Sequence, residues 1–167
     1  MKAVLDTNIL VAAALGRSRD RWARARWLVD VGLVGQRRFE HVTSSPIIEE
    51  LRSVLLRPGM VEQRFADALR ETLLLHSTVV RIHGVPMGCR DPGDDKIVET
   101  ALAGGAGVIV SDDRDLLDFD MSHVLDSLGR TARIAVVSLD DFVAQLHEGP
   151  RFSPLVAPEV LPATLAA

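Results

Sequence analysis

The chain has 167 residues, a length that fits one domain around one core, and with 47% apolar and 25% charged residues it is neither a disordered polymer nor a repeat fibre. Lys2-Ala3-Val4-Leu5 is too short an apolar run for a secretory leader, and no stretch reaches the roughly eighteen apolar residues of a membrane span, so a cytoplasmic protein is expected. The net charge of −4 is unevenly spread: seven arginines (Arg17, Arg19, Arg21, Arg24, Arg26, Arg37, Arg38) face two acids between 17 and 38, whereas nine acids face Lys96 and Arg114 between 91 and 120.

Such segregation suits a basic surface for a phosphate backbone beside an acidic pocket for cations. It suits a solvated, arginine-rich helix face equally well. The single cysteine, Cys89, has no disulfide partner and no His or Cys at zinc-ligand spacing beside it.

In chain order, a short β-type run at Val4-Leu5 is followed by helical period over 8–15 and 20–34. HVTS (41–44) is the next strand, then come helices over 46–57 and 60–76, the strand STVVRI (77–82), and a helix over 94–104. AGVIVS (106–111) and ARIAVVS (132–138) are the last strands, and a helix over 139–147 closes the domain. This alternation predicts an α/β fold, a central parallel sheet flanked by helices. Trp22, Trp27, Leu28 and Leu33 are read as core packing in preference to a partner surface. The domain is expected to span 1–148. Beyond it Pro150, Pro154, Pro158 and Pro162 recur every four residues, which forbids a helix and predicts an extended or disordered tail over 149–167.

In open parallel sheets ligands gather at the carboxyl ends of strands, and the acids follow that rule. Asp6 follows the first strand, and Asp112, Asp113 and Asp115 follow AGVIVS. Glu49 and Glu50 lie in the first turn of the helix after HVTS, and Asp91, Asp94 and Asp95 open the helix before AGVIVS. Helical spacing separates the neighbours, because residues i, i+3 and i+4 share a face. Pro46 suits the first helical position with Ser45 as cap. Glu50 then lies with Ile47 and Val54 and points inward, while Glu49 lies with Arg52 and Ser53. Asp94 lies with Ile97, Val98 and Ala101, while Asp95 lies nearer Glu99.

A single helix-start acid is accounted for by the helix dipole. Several carboxylates at one strand-end cleft are not, because they repel one another unless cations are bound. An all-oxygen donor set favours Mg²⁺ or Mn²⁺ over zinc, and such ions support phosphodiester hydrolysis.

VLDTNIL, SPIIEEL, DPGDDKIVETALAGGAGVIVSDDRDLL and ARIAVVSLDDFV stand in the order and approximate spacing of PIN-domain proteins. Over about residues 2–146 the chain resembles the subgroup described as PIN-family toxins of toxin–antitoxin systems, related to VapC-like toxins. The resemblance implies a PIN-like three-layer fold and an endoribonuclease acting on RNA, held inactive by a cognate antitoxin and assembled as a homodimer. It implies Asp6, Glu50, Asp94 and Asp113 as the catalytic, metal-binding acids. Asn8 is implied as a polar support beside Asp6, and Ser111, Asp113 and Asp115 match the final motif, with Asp112 on its variable position. Asp91 matches a further acid of the subgroup, either a metal ligand or a residue that orders its loop.

A phosphatase would place a second acid two residues after Asp6, where this chain has Asn8, and a receiver domain needs a lysine on a late strand, whereas the only lysines are Lys2 and Lys96. The remaining alternative is a catalytically silent PIN fold kept for binding RNA or protein. Retention of all four acids favours the active nuclease.

Overall fold

The computed structural model describes residues 1–16, 20–126 and 129–148. The proline-spaced segment and Arg17 and Arg19 of the basic run lie outside them. The elements are β1 (Lys2–Leu5), α1 (Thr7–Leu15), α2 (Asp20–Trp27) continuing into a π-helical stretch Leu28–Gly35, β2 (Glu40–Ser44), α3 (Ser45–Leu55) and α4 (Gln63–His76). They continue with β3 (Ser77–Val80), α5 (Asp95–Gly104), β4 (Val108–Val110), α6 (Arg114–Leu117), β5 (Ala135–Val137) and α7 (Leu139–Glu148).

The five strands form one parallel sheet in the order β3-β2-β1-β4-β5. Connections from β1 to β3 run toward one edge, and the connection from β3 to β4 runs back across the sheet. Right-handed crossovers of opposite direction lie on opposite faces, so helices flank the sheet on both sides in three layers, as the alternation of elements predicts. None of the described helices is long and apolar enough to cross a membrane.

Burial follows the sequence pattern. The central strand β1 is enclosed, with Ala3, Val4 and Leu5 wholly buried, as expected of a strand covered on both faces. On α3 the residues Ile47, Ile48, Leu51 and Leu55 form one buried stripe. Leu28 and Leu33 are buried and Trp22 and Trp27 pack partly buried against the core, so the apolar residues of the arginine-rich stretch serve packing. Trp27 also stacks on His147 of α7 with ring centroids 4.4 Å apart.

Some boundaries differ from expectation. Strands β3, β4 and β5 are shorter than their apolar runs, and α4 begins at Gln63 because Arg57–Met60 form a turn closed by the Met60 amide on the Arg57 carbonyl. The cap position of α3 is Ser44, with extended backbone (φ −139°, ψ 161°), and Ser45 is already helical. Ser44 Oγ instead accepts a bond of 2.8 Å from Thr100 Oγ1 on α5, which ties the end of β2 to the helix that carries the acids.

Candidate active site

Strand order reverses between β1 and β4, and two residues at their carboxyl ends meet there. Ser111 Oγ donates to Asp6 Oδ2 at 2.6 Å, and accepts from Asn8 Nδ2 at 3.2 Å and from the Asp113 amide at 3.0 Å. The hydroxyl thus uses its one donor and both acceptor positions. Asp6 is 6% exposed. Burial raises its carboxyl pKa above the usual carboxylate range, and the charge of Glu50 adds to this. The Ser111 hydroxyl and the nearby Thr7 and Asn8 amides oppose the shift. Asn8 Oδ1 is buried without a hydrogen-bond partner.

Glu50 reaches the site from α3. Its Oε2 accepts from Thr7 Oγ1 at 2.5 Å and its Oε1 accepts from Lys96 Nζ at 3.1 Å. Lys96 also donates to the Gly93 carbonyl. Glu49 is exposed on the other side of the helix, as the spacing argument requires.

Asp94 stands at the end of a 3₁₀ turn, Pro92–Asp94, that leads into α5. Its carboxyl is pushed up to about 6, first by burial and then by the charges of Asp6, Asp113 and Asp91, with Lys96 pulling the other way. Asp113 caps α6, its Oδ1 accepting from the Asp115 amide at 2.8 Å. Glu50 therefore acts on Asp6, while Asp6 and Asp113 act on Asp94. The four acids come from four separate segments and are linked in series, Glu50 to Asp6, Asp6 to Asp94 and Asp94 to Asp113.

The surrounding residues divide. Asp91 Oδ1 accepts from the Gly93 amide at 2.8 Å, so its visible work is ordering the turn that presents Asp94. Asp115 Oδ1 pairs with Arg90 Nη1 at 2.6 Å. Asp112 Oδ1 accepts from the Leu139 amide at 3.0 Å, which commits it to the start of α7.

The donor set is all oxygen, and the carboxyls of Asp6 and Asp94 are raised by burial and by neighbouring acids, a setting in which a hard divalent cation would offset the charge. As the side chains stand, no three His, Cys, Asp or Glu among the described residues are close enough together to hold a metal ion. Glu50 is taken up by Thr7 and Lys96, and Asp113 by the backbone of α6.

Three contributors went unread in the sequence. Thr7 sits inside the DTN motif and orients Glu50. Lys96, next to Asp94-Asp95, carries a cation into the cluster. Glu99 is only 7% exposed and accepts from the backbone amides of His83, Gly84 and Val85 at 2.7, 2.9 and 3.1 Å. A buried acid one helical turn after Asp95 was the available signal. Burial and the carboxylates of Asp95 and Asp94 push the Cys89 thiol up to about 12, which disfavours its thiolate.

Much of the basic run serves the fold. Arg24 pairs with Asp140 of α7 at 2.6 Å, Arg26 with Asp30 at 2.7 Å, and Arg38 Nη1 donates to the Leu146 carbonyl at 2.7 Å.

No curated protein matches the chain. Among solved structures it is similar to the crystal structure of VapBC2 from Rickettsia felis bound to a DNA fragment from their promoter. The identity is 15% and the TM-score 0.46, with 83% of this chain and 98% of that chain covered. A family model described as PIN domain matches residues 2–115. That span holds β1 through β4 and Asp6, Glu50, Asp94 and Asp113, and is well over half of the 167 residues; the chain belongs to the PIN-domain family.

Proposed function

We propose that this protein is a metal-dependent endoribonuclease that hydrolyses RNA phosphodiester bonds as the toxin of a toxin–antitoxin pair. The observation that carries this reading is the PIN-domain match over residues 2–115 together with the placement of Asp6, held by Ser111 at 2.6 Å, at the carboxyl ends of β1 and β4 where strand order reverses. Asp6, Glu50, Asp94 and Asp113 would hold Mg²⁺ or Mn²⁺. Such an ion, when bound, lowers the pKa of its water and offsets negative charge on the phosphate.

The other residues support those four. Ser111 fixes the orientation of Asp6, Thr7 that of Glu50, and Asp91 the turn that presents Asp94. The unpartnered Asn8 Oδ1 beside Asp6 is a further acceptor for a water or an ion. A cognate antitoxin and a homodimer are proposed from the sequence resemblance.

Cleavage of single-stranded and structured RNA in excess chelator, and after adding back Mg²⁺ or Mn²⁺, tests the reading. Loss with chelator and recovery with metal supports it. Full cleavage in excess chelator overturns the metal requirement. RNA binding with no cleavage under any metal would make the chain a silent binding module.

A further inference from the structure

Between β3 and the turn that presents Asp94, residues 81–91 have no regular structure, yet their backbone is held firmly by two side chains of α5. Glu99 accepts the amides of His83, Gly84 and Val85. Asp95, one turn earlier, accepts the Cys89 amide at 2.9 Å, and the Met87 and Gly88 amides face the same carboxylate. Gly84 and Gly88, at φ +76° and +88°, take the left-handed backbone that turns these amides inward. Burying the Glu99 carboxylate is costly unless it is hydrogen-bonded, and here three amides serve it, one on Oε1 and two on Oε2.

Residues 83–86 are exposed, Val85 by 48%, so the Glu99 clamp holds a stretch that buries little, whereas Met87 and Cys89 beyond it pack partly buried against the core. What the arm delivers is Arg90. Its side chain is 75% exposed and its Nη1 reaches Asp115 Oδ1 at the start of α6, beside the acid cluster. An exposed pair of this kind adds little to stability. A guanidinium on a braced support, however, is already ordered to bind a phosphate. Next to several carboxylates a polyanion meets repulsion, so a local cation is needed there. Arg24, Arg26 and Arg38 are engaged within the fold.

We propose that Arg90, carried on the arm clamped by Asp95 and Glu99, receives a backbone phosphate of the substrate RNA at the mouth of the acidic cleft, exchanging Asp115 for it. This rests on the nuclease reading above for the identity of the substrate.

The test measures binding of fluorescent single-stranded RNA to the full chain by anisotropy, in chelator, across a salt series, with cleavage in Mg²⁺ followed separately. Arg90→Ala should weaken binding about fivefold or more and reduce the slope of log affinity against log salt by about 0.7, the loss of one single-strand phosphate contact, with the melting temperature unchanged. Arg64→Ala, at an exposed residue of α4, should change neither. Glu99→Gln should weaken binding while leaving the slope intact, because the arginine remains and only its support is loosened. Parent affinity and slope in Arg90→Ala, or equal losses in Arg64→Ala, overturn the proposal. If the parent cleaves RNA and Arg90→Ala binds normally, the arm proposal fails and the nuclease reading stands. Arginine-dependent binding without cleavage gives the reverse, and a parent that does not bind RNA overturns the arm proposal.

Discussion

Lys96 Nζ lies 3.1 Å from Glu50 Oε1, so the chain supplies its own cation to the acid cluster. That side chain is 20% exposed and the glutamate 40%, and a pair this open is worth only about 0–1 kcal/mol to folding. Its larger effect is electrostatic, on what else Glu50 binds.

Lys96→Met should therefore shift folding stability by no more than about 1 kcal/mol while tightening Mn²⁺ binding severalfold, because a competing ammonium is removed. Calorimetric titration with Mn²⁺ and urea denaturation check the two parts. Unchanged or weaker Mn²⁺ binding would show that Lys96 does not compete for Glu50.

Asp6→Asn removes a buried charge and nearly keeps shape. Cleavage should fall by about a hundredfold or more, a loss near 2.7 kcal/mol of barrier lowering, while the metal-free melting temperature stays level or rises, since a mutually repelling carboxylate has gone. Asp113→Asn should lose cleavage similarly. Glu49→Gln, on the exposed side of α3, should retain most activity. Rates and melting curves for the three variants decide this. An inactive but folded Glu49→Gln would mean that the second acid has been misassigned.

His41 on β2 is fully buried, its Nδ1 is 2.7 Å from Ser77 Oγ, and burial pushes its pKa down to about 3 from 6.5. The unfolded chain takes up this proton below about pH 6.5 and the folded chain does not until about pH 3. Stability is therefore intact above the upper value and is lost progressively as pH falls between the two, by about 2 kcal/mol from roughly pH 7 to roughly pH 5. His41→Asn should be less stable at neutral pH but lack this component. Denaturant titrations at both pH values measure it, and a parallel pH response in parent and variant would contradict the account.

At Gly104, the last residue of α5, an added Cβ would collide with Val42 Cγ1 and lie 3.2 Å from the Val42 Cβ and Cγ2 atoms. Val42 is wholly buried and stiff at χ1. Gly104→Ala should destabilise by about 1–3 kcal/mol, despite the gain of about 1 kcal/mol in helix propensity. Urea unfolding checks the sign, and a stabilised variant would mean that the helix can shift away from β2.

The order of strands and the longer helices was legible because their apolar runs are cut by glycine, proline or charge, whereas the four-residue helix α6 (Arg114–Leu117) was not expected, being too short to show a helical period. The exposure of Glu49 beside a half-buried Glu50 was legible because α3 buries a stripe of Ile47, Ile48, Leu51 and Leu55, whereas α5 buries Ile97 through Ala101 on all sides and offers no such stripe. Contacts made across the chain were not legible. The bond between Thr7 and Glu50 spans 43 positions and that between Lys96 and Glu50 spans 46, and no local pattern encodes either. Glu99 was hidden because an acid inside an apolar helix reads as exposed until the loop amides it accepts are placed. Asp112, read as the variable position of its motif, accepts the Leu139 amide at the start of α7, a contact across 27 positions that no local pattern discloses.

Because β1 pairs with β4, the bond from Ser111 to Asp6 joins positions 105 residues apart. During synthesis Asp6 and Glu50 leave the ribosome without the strand that completes their end of the sheet, and at ordinary elongation rates roughly 5–20 s separate Asp6 from Ser111. The β1–β2 and β2–β3 pairings can form earlier, but the β1–β4 pairing at which strand order reverses cannot. A nascent or truncated chain ending before Ser111 thus carries at most three of Asp6, Glu50, Asp94 and Asp113, and lacks the hydroxyl that holds Asp6. The end of the sheet where Asp6 and Ser111 meet is therefore assembled only after β4 has been made.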